Sequence, residues 1–223
     1  MIVEGVYLRY NIPMPASLSF LKPVVFLALE RGAEPKTLAI LLLFPLLTLF
    51  IAASRYLMGI KALGIFTPVI LTVVFLETGV LPGLVLFFLV LLAVSVGRAL
   101  TRGLHLHYLA RVSLIIWLVS LLVFGGIFFF KTPLVSLLIL ILVGENLLEV
   151  QISRGTKEAL NLIAETLILA VFGWLLLSWK WLQKAVLTEP EIFLILTALG
   201  NILLGRFTGL RLLEYKRFRK LIK

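Results

Sequence analysis

Six ionisable side chains lie inside or beside long apolar stretches of this sequence, and they are its clearest candidates for chemistry. They are Glu77, Glu145, Glu149, Glu165, Arg206 and Arg211. A charge in an apolar environment is energetically costly, so it usually pairs with another group or lines a substrate or proton path. Each of the six therefore has a functional and a structural interpretation.

Glu145 and Glu149 are four residues apart, so a continuous helix places both carboxylates on one face, with Asn146 beside them. On the functional interpretation they line a polar path for a substrate or a proton. On the structural one, the apolar segment ends near Val143 and both carboxylates lie at a membrane surface.

Glu165 lies well inside a later apolar segment, and Asn161 shares its helical face one turn earlier. Its carboxyl group is predicted either to carry a proton along a path or to form a structural pair with Arg206. We favour the structural pair.

The last apolar segment combines glycines, which let another helix approach closely, with polar side chains. Three donors near its end are candidates for contact with an anionic substrate or product: Asn201, Arg206 and Thr208. The alternative is that Arg206 extends to lipid headgroups while the glycines serve packing.

Several kinds of catalytic centre are excluded by composition. The chain has no Cys, all 11 of its acidic residues are Glu, and its two histidines, His105 and His107, would point apart on a helix. We therefore predict no catalytic residue, no metal and no cofactor, and thus a protein that is not an enzyme. Glu77 is most simply the cap of a hairpin at the outer surface.

Apolar segments of this length require a membrane. Of the 223 residues, 61% are hydrophobic and 14% are charged, and the mean hydropathy is +1.14. Because a span needs roughly 20 apolar residues, the sequence predicts an all-α polytopic helix bundle with about seven transmembrane helices. The predicted segments are 37–58, 60–76, 80–97, 112–130, 133–150, 159–178 and 191–210.

Three regions follow from this division. Residues 1–36 are predicted to form an interfacial segment, residues 37–210 the transmembrane domain, and residues 211–223 a basic amphipathic tail. The tail is predicted to lie on anionic lipid rather than on nucleic acid. Its headgroup contacts would be Lys216, Arg217, Arg219 and Lys220.

Basic residues set the predicted orientation. With seven spans, seven Lys and Arg residues fall on the N-terminal side of the membrane and fourteen on the C-terminal side. The positive-inside rule then places the N-terminus outside and the C-terminus in the cytoplasm of a cell whose inner membrane holds the protein.

Three stretches resemble a known bacterial family: residues 8–21, LRYNIPMPASLSFL; residues 59–79, GIKALGIFTPVILTVVFLETG; and residues 203–214, LLGRFTGLRLLE. The family is a seven-helix membrane domain usually fused to an inactive transglutaminase-like domain. The resemblance implies such a partner domain outside the membrane. Because that domain usually precedes the membrane part, the chain is expected to be a stand-alone version or a fragment.

A more distant resemblance is to the small membrane subunit of poly-γ-glutamate synthase. It is carried by the layout of residues 64–68, GIFTP, and of residues 145–155. This resemblance implies a partner that makes amide bonds with ATP, such as an ATP-grasp ligase, and a γ-glutamyl or similar product.

Three functions are compatible with these features. The first is a membrane subunit that assists the synthesis or export of a peptide or poly-amino-acid product. The second is an autonomous transporter of a small solute, and the third is a scaffold or anchor for a partner enzyme. Under the first, Glu77, Glu145 and Glu165 line the polar path and Arg206 meets the product from the cytoplasm.

Overall fold

Helices make up all the regular secondary structure of the described residues. The computed structural model describes residues 20–104, 107–126 and 133–207. In chain order the α-helices there are α1 (Lys22–Glu30), α2 (Pro35–Ala53), α3 (Phe66–Thr78), α4 (Val80–Thr101), α5 (Tyr108–Gly126), α6 (Leu134–Arg154), α7 (Thr156–Ser178), α8 (Lys180–Thr188) and α9 (Pro190–Gly205). A π-helical turn, Ser54–Met58, continues α2. The predicted all-α membrane bundle is confirmed.

Each of the seven predicted segments contains one apolar helix. Five are long and apolar enough to cross a membrane unaided: α2 with its π-helical turn, α4, α5, α6 and α7. Helices α8 and α9 pass the same test only as a pair, which is bent by 103°, and α3 is a shorter apolar helix. The chain is thus a multi-pass membrane protein.

The second segment differs from its predicted bounds. We expected a helix from residue 60, but α3 begins at Phe66. Gly59 and Gly64 adopt backbone φ values of 86° and 65°, which only glycine adopts without strain and which end a right-handed helix. The residues between them therefore form a loop, and α3 is left with 13 residues.

The helices form two compact units, the first comprising Met1–Ile60 with Leu175–Lys223 and the second Lys61–Trp174. In the second unit, α4 packs against α3, α5 and α6. The largest fully buried side chains of its core include Phe75, Phe87 and Ile115. Small residues allow close approach: a Cβ on Gly144 would lie 3.1 Å from Val90 Cγ1.

In the first unit, α2 packs against α8 and α9. A Cβ on Gly200 would lie 2.7 Å from Leu49 Cδ2, so this glycine does permit a close helix approach. Helix α8 buries Leu182, Val186 and Leu187 and exposes Lys180 and Trp181, the pattern of a helix lying in a membrane interface.

Candidate functional site

The break before α3 is held by side chains from the middle of α7. The break contains residues 61–65, which we call the interrupting loop. The Lys61 backbone N–H donates to Glu165 Oε2, and the Leu63 N–H donates to Thr166 Oγ1 at 2.9 Å. The Thr166 hydroxyl in turn donates to the Leu162 carbonyl at 2.6 Å. Two adjacent residues of α7 thus satisfy two peptide groups that have no helical partner.

The loop lies deep along a membrane-crossing helix. Glu165 is the tenth of the 23 residues of α7, so about 14 Å of helix separates it from the helix start. Inside a bilayer, non-helical backbone is tolerated only where protein or a polar cavity receives its hydrogen bonds. Ala62 and Leu63 are 5% and 6% exposed, so the middle of the loop is buried in the protein, whereas Lys61, Gly64 and Ile65 are exposed.

A further hydrogen bond joins α3 itself to α7. Thr72 is fully buried, and its hydroxyl donates to the Pro68 carbonyl at 2.8 Å and to the Ala170 carbonyl of α7 at 3.1 Å. Contacts that pass from Leu63–Thr166 to Thr72–Ala170 show that α3 and α7 run in the same direction. The loop and α3 are therefore bound to α7 as one element.

Glu165 has a partner that the sequence did not indicate. We had considered a proton carrier or an ion pair with Arg206, whereas its carboxylate accepts a hydrogen bond from the loop backbone. The pairing with Arg206 stays a prediction, because the two residues belong to different units.

Lys61 is a candidate that sequence reasoning missed. Its backbone is anchored on Glu165, but its side chain is exposed and makes no ion pair among the described residues. A primary ammonium at a helix break binds carboxylate or phosphate groups well. The signal was present in the sequence, since Gly59 and Gly64 flank this lysine within a short segment.

Glu77 lies at the other end of α3. Its side chain is exposed, and its Oε2 accepts a hydrogen bond of 2.5 Å from the hydroxyl of Ser136, a fully buried residue in the first turn of α6. Two residues later, Gly79 (φ 86°) ends α3, and α4 follows at once. The carboxylate therefore joins the α3–α4 hairpin to α6.

Glu145 and Glu149 do share one face of a continuous helix. Both are exposed, and neither carboxylate has a hydrogen bond or ion pair within the described part of the chain. Glu145 is the twelfth of the 21 residues of α6, so it lies about 16 Å from the helix start, near mid-span. It is available to a ligand or to a partner.

Of the donors at the end of the last segment, Asn201 and Arg206 lie within the described residues. The exposed Asn201 donates to the Thr197 carbonyl of its own helix at 2.9 Å, and Arg206 directly follows the end of α9 and is exposed. Thr208 and the tail residues Lys216, Arg217, Arg219 and Lys220 lie outside the described residues. The proposed roles of all these residues stay predictions.

Taken over the described ranges, no group of three or more His, Cys, Asp or Glu side chains could hold a metal ion. The interrupting loop instead carries the exposed ammonium group of Lys61, and the backbone N–H of that residue is bonded to the Glu165 carboxylate. That arrangement can bind and position a charged ligand.

Comparison with known proteins gives one match. A family described as 7 transmembrane helices usually fused to an inactive transglutaminase matches residues 24–222. No curated protein and no solved structure matches the chain.

Proposed function

Because the chain belongs to the family of seven-transmembrane-helix domains usually fused to an inactive transglutaminase, we propose that it is a non-enzymatic membrane subunit. It assists the synthesis or export of a peptide or poly-amino-acid product of the γ-glutamyl type. It works with a partner that carries out the chemistry, rather than alone.

The interrupting loop is the observation that supports this proposal. A non-helical loop whose peptide groups are bonded to the middle of a neighbouring membrane-crossing helix is typical of sites where membrane proteins contact a substrate. A γ-glutamyl chain carries a free carboxylate on each residue. The exposed ammonium of Lys61 is the group that would bind such a carboxylate.

The other candidates take roles in the same path. Glu77 and Glu145, both exposed in the second unit, would line it, and Glu165 would hold the loop in position. At the end of α9, Arg206 would meet the anionic product from the cytoplasm.

The first proposed partner follows from the family, and the second from the more distant resemblance to the small subunit of poly-γ-glutamate synthase. A transglutaminase-like domain would act outside the cell membrane, and an ATP-dependent amide ligase of the ATP-grasp type would supply product from the cytoplasm. The protein would lie in the inner membrane with its N-terminus outside.

Replacing Lys61 tests the site. Lys61→Gln removes the ammonium group but keeps the backbone N–H that bonds to Glu165, so we expect a folded protein that releases less product. Lys157→Gln is the matched control, since Lys157 is also exposed in the second unit. Extracellular peptide-bound glutamate from the native host is measured by hydrolysis and amino-acid analysis. Equal release by both variants and the wild type would remove Lys61 from the mechanism.

A scaffold or anchor is the second candidate, and a specific observation favours it. Glu77 and Glu165 both accept hydrogen bonds from other elements, as expected of structural groups. Affinity purification from native membranes, followed by mass spectrometry, separates the candidates. An amide ligase that co-purifies supports the subunit, and a transglutaminase-like protein without such a ligase supports the anchor.

An autonomous transporter makes a different prediction. The protein purified alone would move a solute across the membrane of liposomes, with no second protein present. Flux of that kind would contradict our proposal of a subunit that depends on a partner enzyme.

A further inference from the structure

Two arginines at one end of the second unit have buried guanidinium nitrogens without a partner. Nη1 of Arg98, in the last turn of α4, and Nε of Arg111, in the first turn of α5, are both inaccessible and unbonded. Neither guanidinium has an ion pair within residues 20–104, 107–126 and 133–207. An unsatisfied buried cationic donor is costly, so a protein that retains two at one end needs an acceptor there.

Helix register places the two arginines at similar levels along neighbouring helices. A Cβ on Gly97 of α4 would lie 3.1 Å from Ile115 Cγ1 of α5, and a Cβ on Gly126 would lie 2.9 Å from Leu86 Cδ2. These two contacts fix α4 and α5 as antiparallel neighbours. Arg111 lies four residues before Ile115. In an antiparallel pair, that places it at the same level as the residue four positions after Gly97. Arg98 lies about 5 Å from that level along the helix axis.

Helix α6 contributes a third buried polar group. Gln151 is 3% exposed, and its Nε2 lies 3.2 Å from Oγ of Ser95, one turn before Arg98 on α4. Its Oε1 is buried without a partner. If the Gln151 side-chain amide is rotated by 180°, the Ser95 hydroxyl donates to Oε1 and the hydrogen bond is kept. Nε2 is then the atom without a partner. In either orientation one polar atom of Gln151 remains for a ligand.

We infer that Arg98 and Arg111, with Gln151 beside them, bind the phosphate group of an anionic ligand. Guanidinium groups present paired N–H donors that match the oxygens of a phosphate. Gln151 would bond to a hydroxyl or an oxygen of the same ligand. The source of the phosphate is either an anionic lipid headgroup or free phosphate.

The surrounding charges favour an anion at this end. Arg102, Arg154 and Lys157 are exposed there, as expected of residues at the level of lipid headgroups. Glu158 Oε1 lies 3.5 Å from Nη1 of Arg154, so this carboxylate already forms an ion pair. Glu149 is exposed on α6, whereas Gln151 is buried.

Two simpler explanations do not satisfy the buried atoms. Arg98 interacts favourably with the negative end of the α4 dipole, but that field supplies no acceptor for Nη1. An arginine that extends to the headgroups would expose these nitrogens, whereas Arg98 Nη1 and Arg111 Nε are buried although both residues are only half-buried.

Thermal unfolding of the full chain in detergent tests the inference. We expect phosphatidylglycerol to raise the unfolding midpoint and phosphatidylcholine to leave it unchanged at equal concentration. If inorganic phosphate raises it as well, the site takes free phosphate; if only phosphatidylglycerol does, the site is specific for the lipid headgroup. The inference is wrong if phosphatidylglycerol and inorganic phosphate both leave the midpoint unchanged, or if phosphatidylcholine acts equally.

Substitutions locate the effect. We expect Arg98→Gln and Arg111→Gln each to weaken binding of the stabilising ligand about tenfold, because each removes charge-assisted hydrogen bonds. Arg102→Gln, which removes an exposed charge at the same end but no buried donor, should weaken binding less than either substitution. If a Gln variant does not fold, Arg98→Lys and Arg111→Lys keep the charge but lose the paired donors, and should still bind more weakly. Wild-type affinity in these variants, or equal loss in Arg102→Gln, would overturn the assignment.

Discussion

At the scale of single residues, the polar groups of the second unit are used to satisfy backbone and hydroxyl groups of neighbouring elements. Glu165 and Thr166 receive the Lys61 and Leu63 N–H groups, and Ser136 donates to Glu77. The carboxylate of Glu165, inside an apolar segment, is therefore explained by a peptide group elsewhere in the chain. That peptide group is invisible to any search for opposite charges.

The Thr166 hydroxyl should contribute measurably to stability. Thr166→Val leaves the Leu63 N–H buried without an acceptor, which should lower the free energy of unfolding by about 1–3 kcal/mol. Thr101→Val is the matched control: Thr101 is equally buried, but its hydroxyl bonds only to carbonyls of its own helix. Thermal unfolding in detergent should show the larger decrease for Thr166→Val. Equal decreases would contradict the role given to Thr166.

At the scale of elements, α3 is defined by how it is packed rather than by its length. With 13 residues it is short for a span, yet Val69, Leu71, Val74 and Phe75 are fully buried. It is bonded to α7 on one side, to α6 through Glu77, and turns directly into α4 at Gly79. A short helix of this kind is stable because neighbouring helices supply hydrogen bonds and apolar contacts that its own few turns do not provide.

The α3–α4 hairpin should be sensitive to any side chain at Gly83. A Cβ there would lie 2.5 Å from Cδ1 of Phe75, a buried ring that cannot move freely. Gly83→Ala should be destabilising by up to about 2 kcal/mol, since overpacking costs about 1–3 kcal/mol and alanine regains about 1 kcal/mol of helix propensity.

Gly125→Ala serves as the control for this substitution. No atom lies within 4 Å of a Cβ at Gly125 in α5, so alanine should be neutral or stabilising by up to about 1 kcal/mol. Both midpoints come from the same unfolding experiment. A Gly83→Ala protein as stable as Gly125→Ala would mean that Phe75 moves aside easily.

At the scale of the whole molecule, the chain is a multi-pass helical membrane protein whose basic residues are unequally distributed. The larger share falls on the side predicted to be cytoplasmic. Since the chain has no cysteine, an introduced cysteine is a unique label for determining its orientation.

Labelling with a membrane-impermeant maleimide should show the predicted orientation. Lys184→Cys, in α8, should react in intact cells, and Lys157→Cys, at the start of α7, only after permeabilisation. Both lysines are exposed, so access rather than burial decides the reaction. The reverse pattern would place the N-terminus in the cytoplasm.

The sequence by itself determined the class of fold and the approximate positions of its long apolar helices. Long apolar segments with few charges predict membrane helices, because backbone groups in lipid must be bonded within a helix, and five of the helices are long enough to cross unaided. The family resemblance was readable from the chain and is confirmed over residues 24–222. These properties depend on composition and on neighbours along the chain.

Only the tertiary structure decided what the polar residues contact. Lys61 and Glu165 are 104 residues apart in sequence, and Arg98 and Gln151 come from different helices. Gly59 and Gly64 indicate the loop before α3 in the sequence itself. The side chains that accept hydrogen bonds from this loop could not be predicted, because the sequence does not show which peptide N–H groups lack a helical partner. Helix packing brings these groups together, and packing depends on the three-dimensional fit of side chains far apart in the chain.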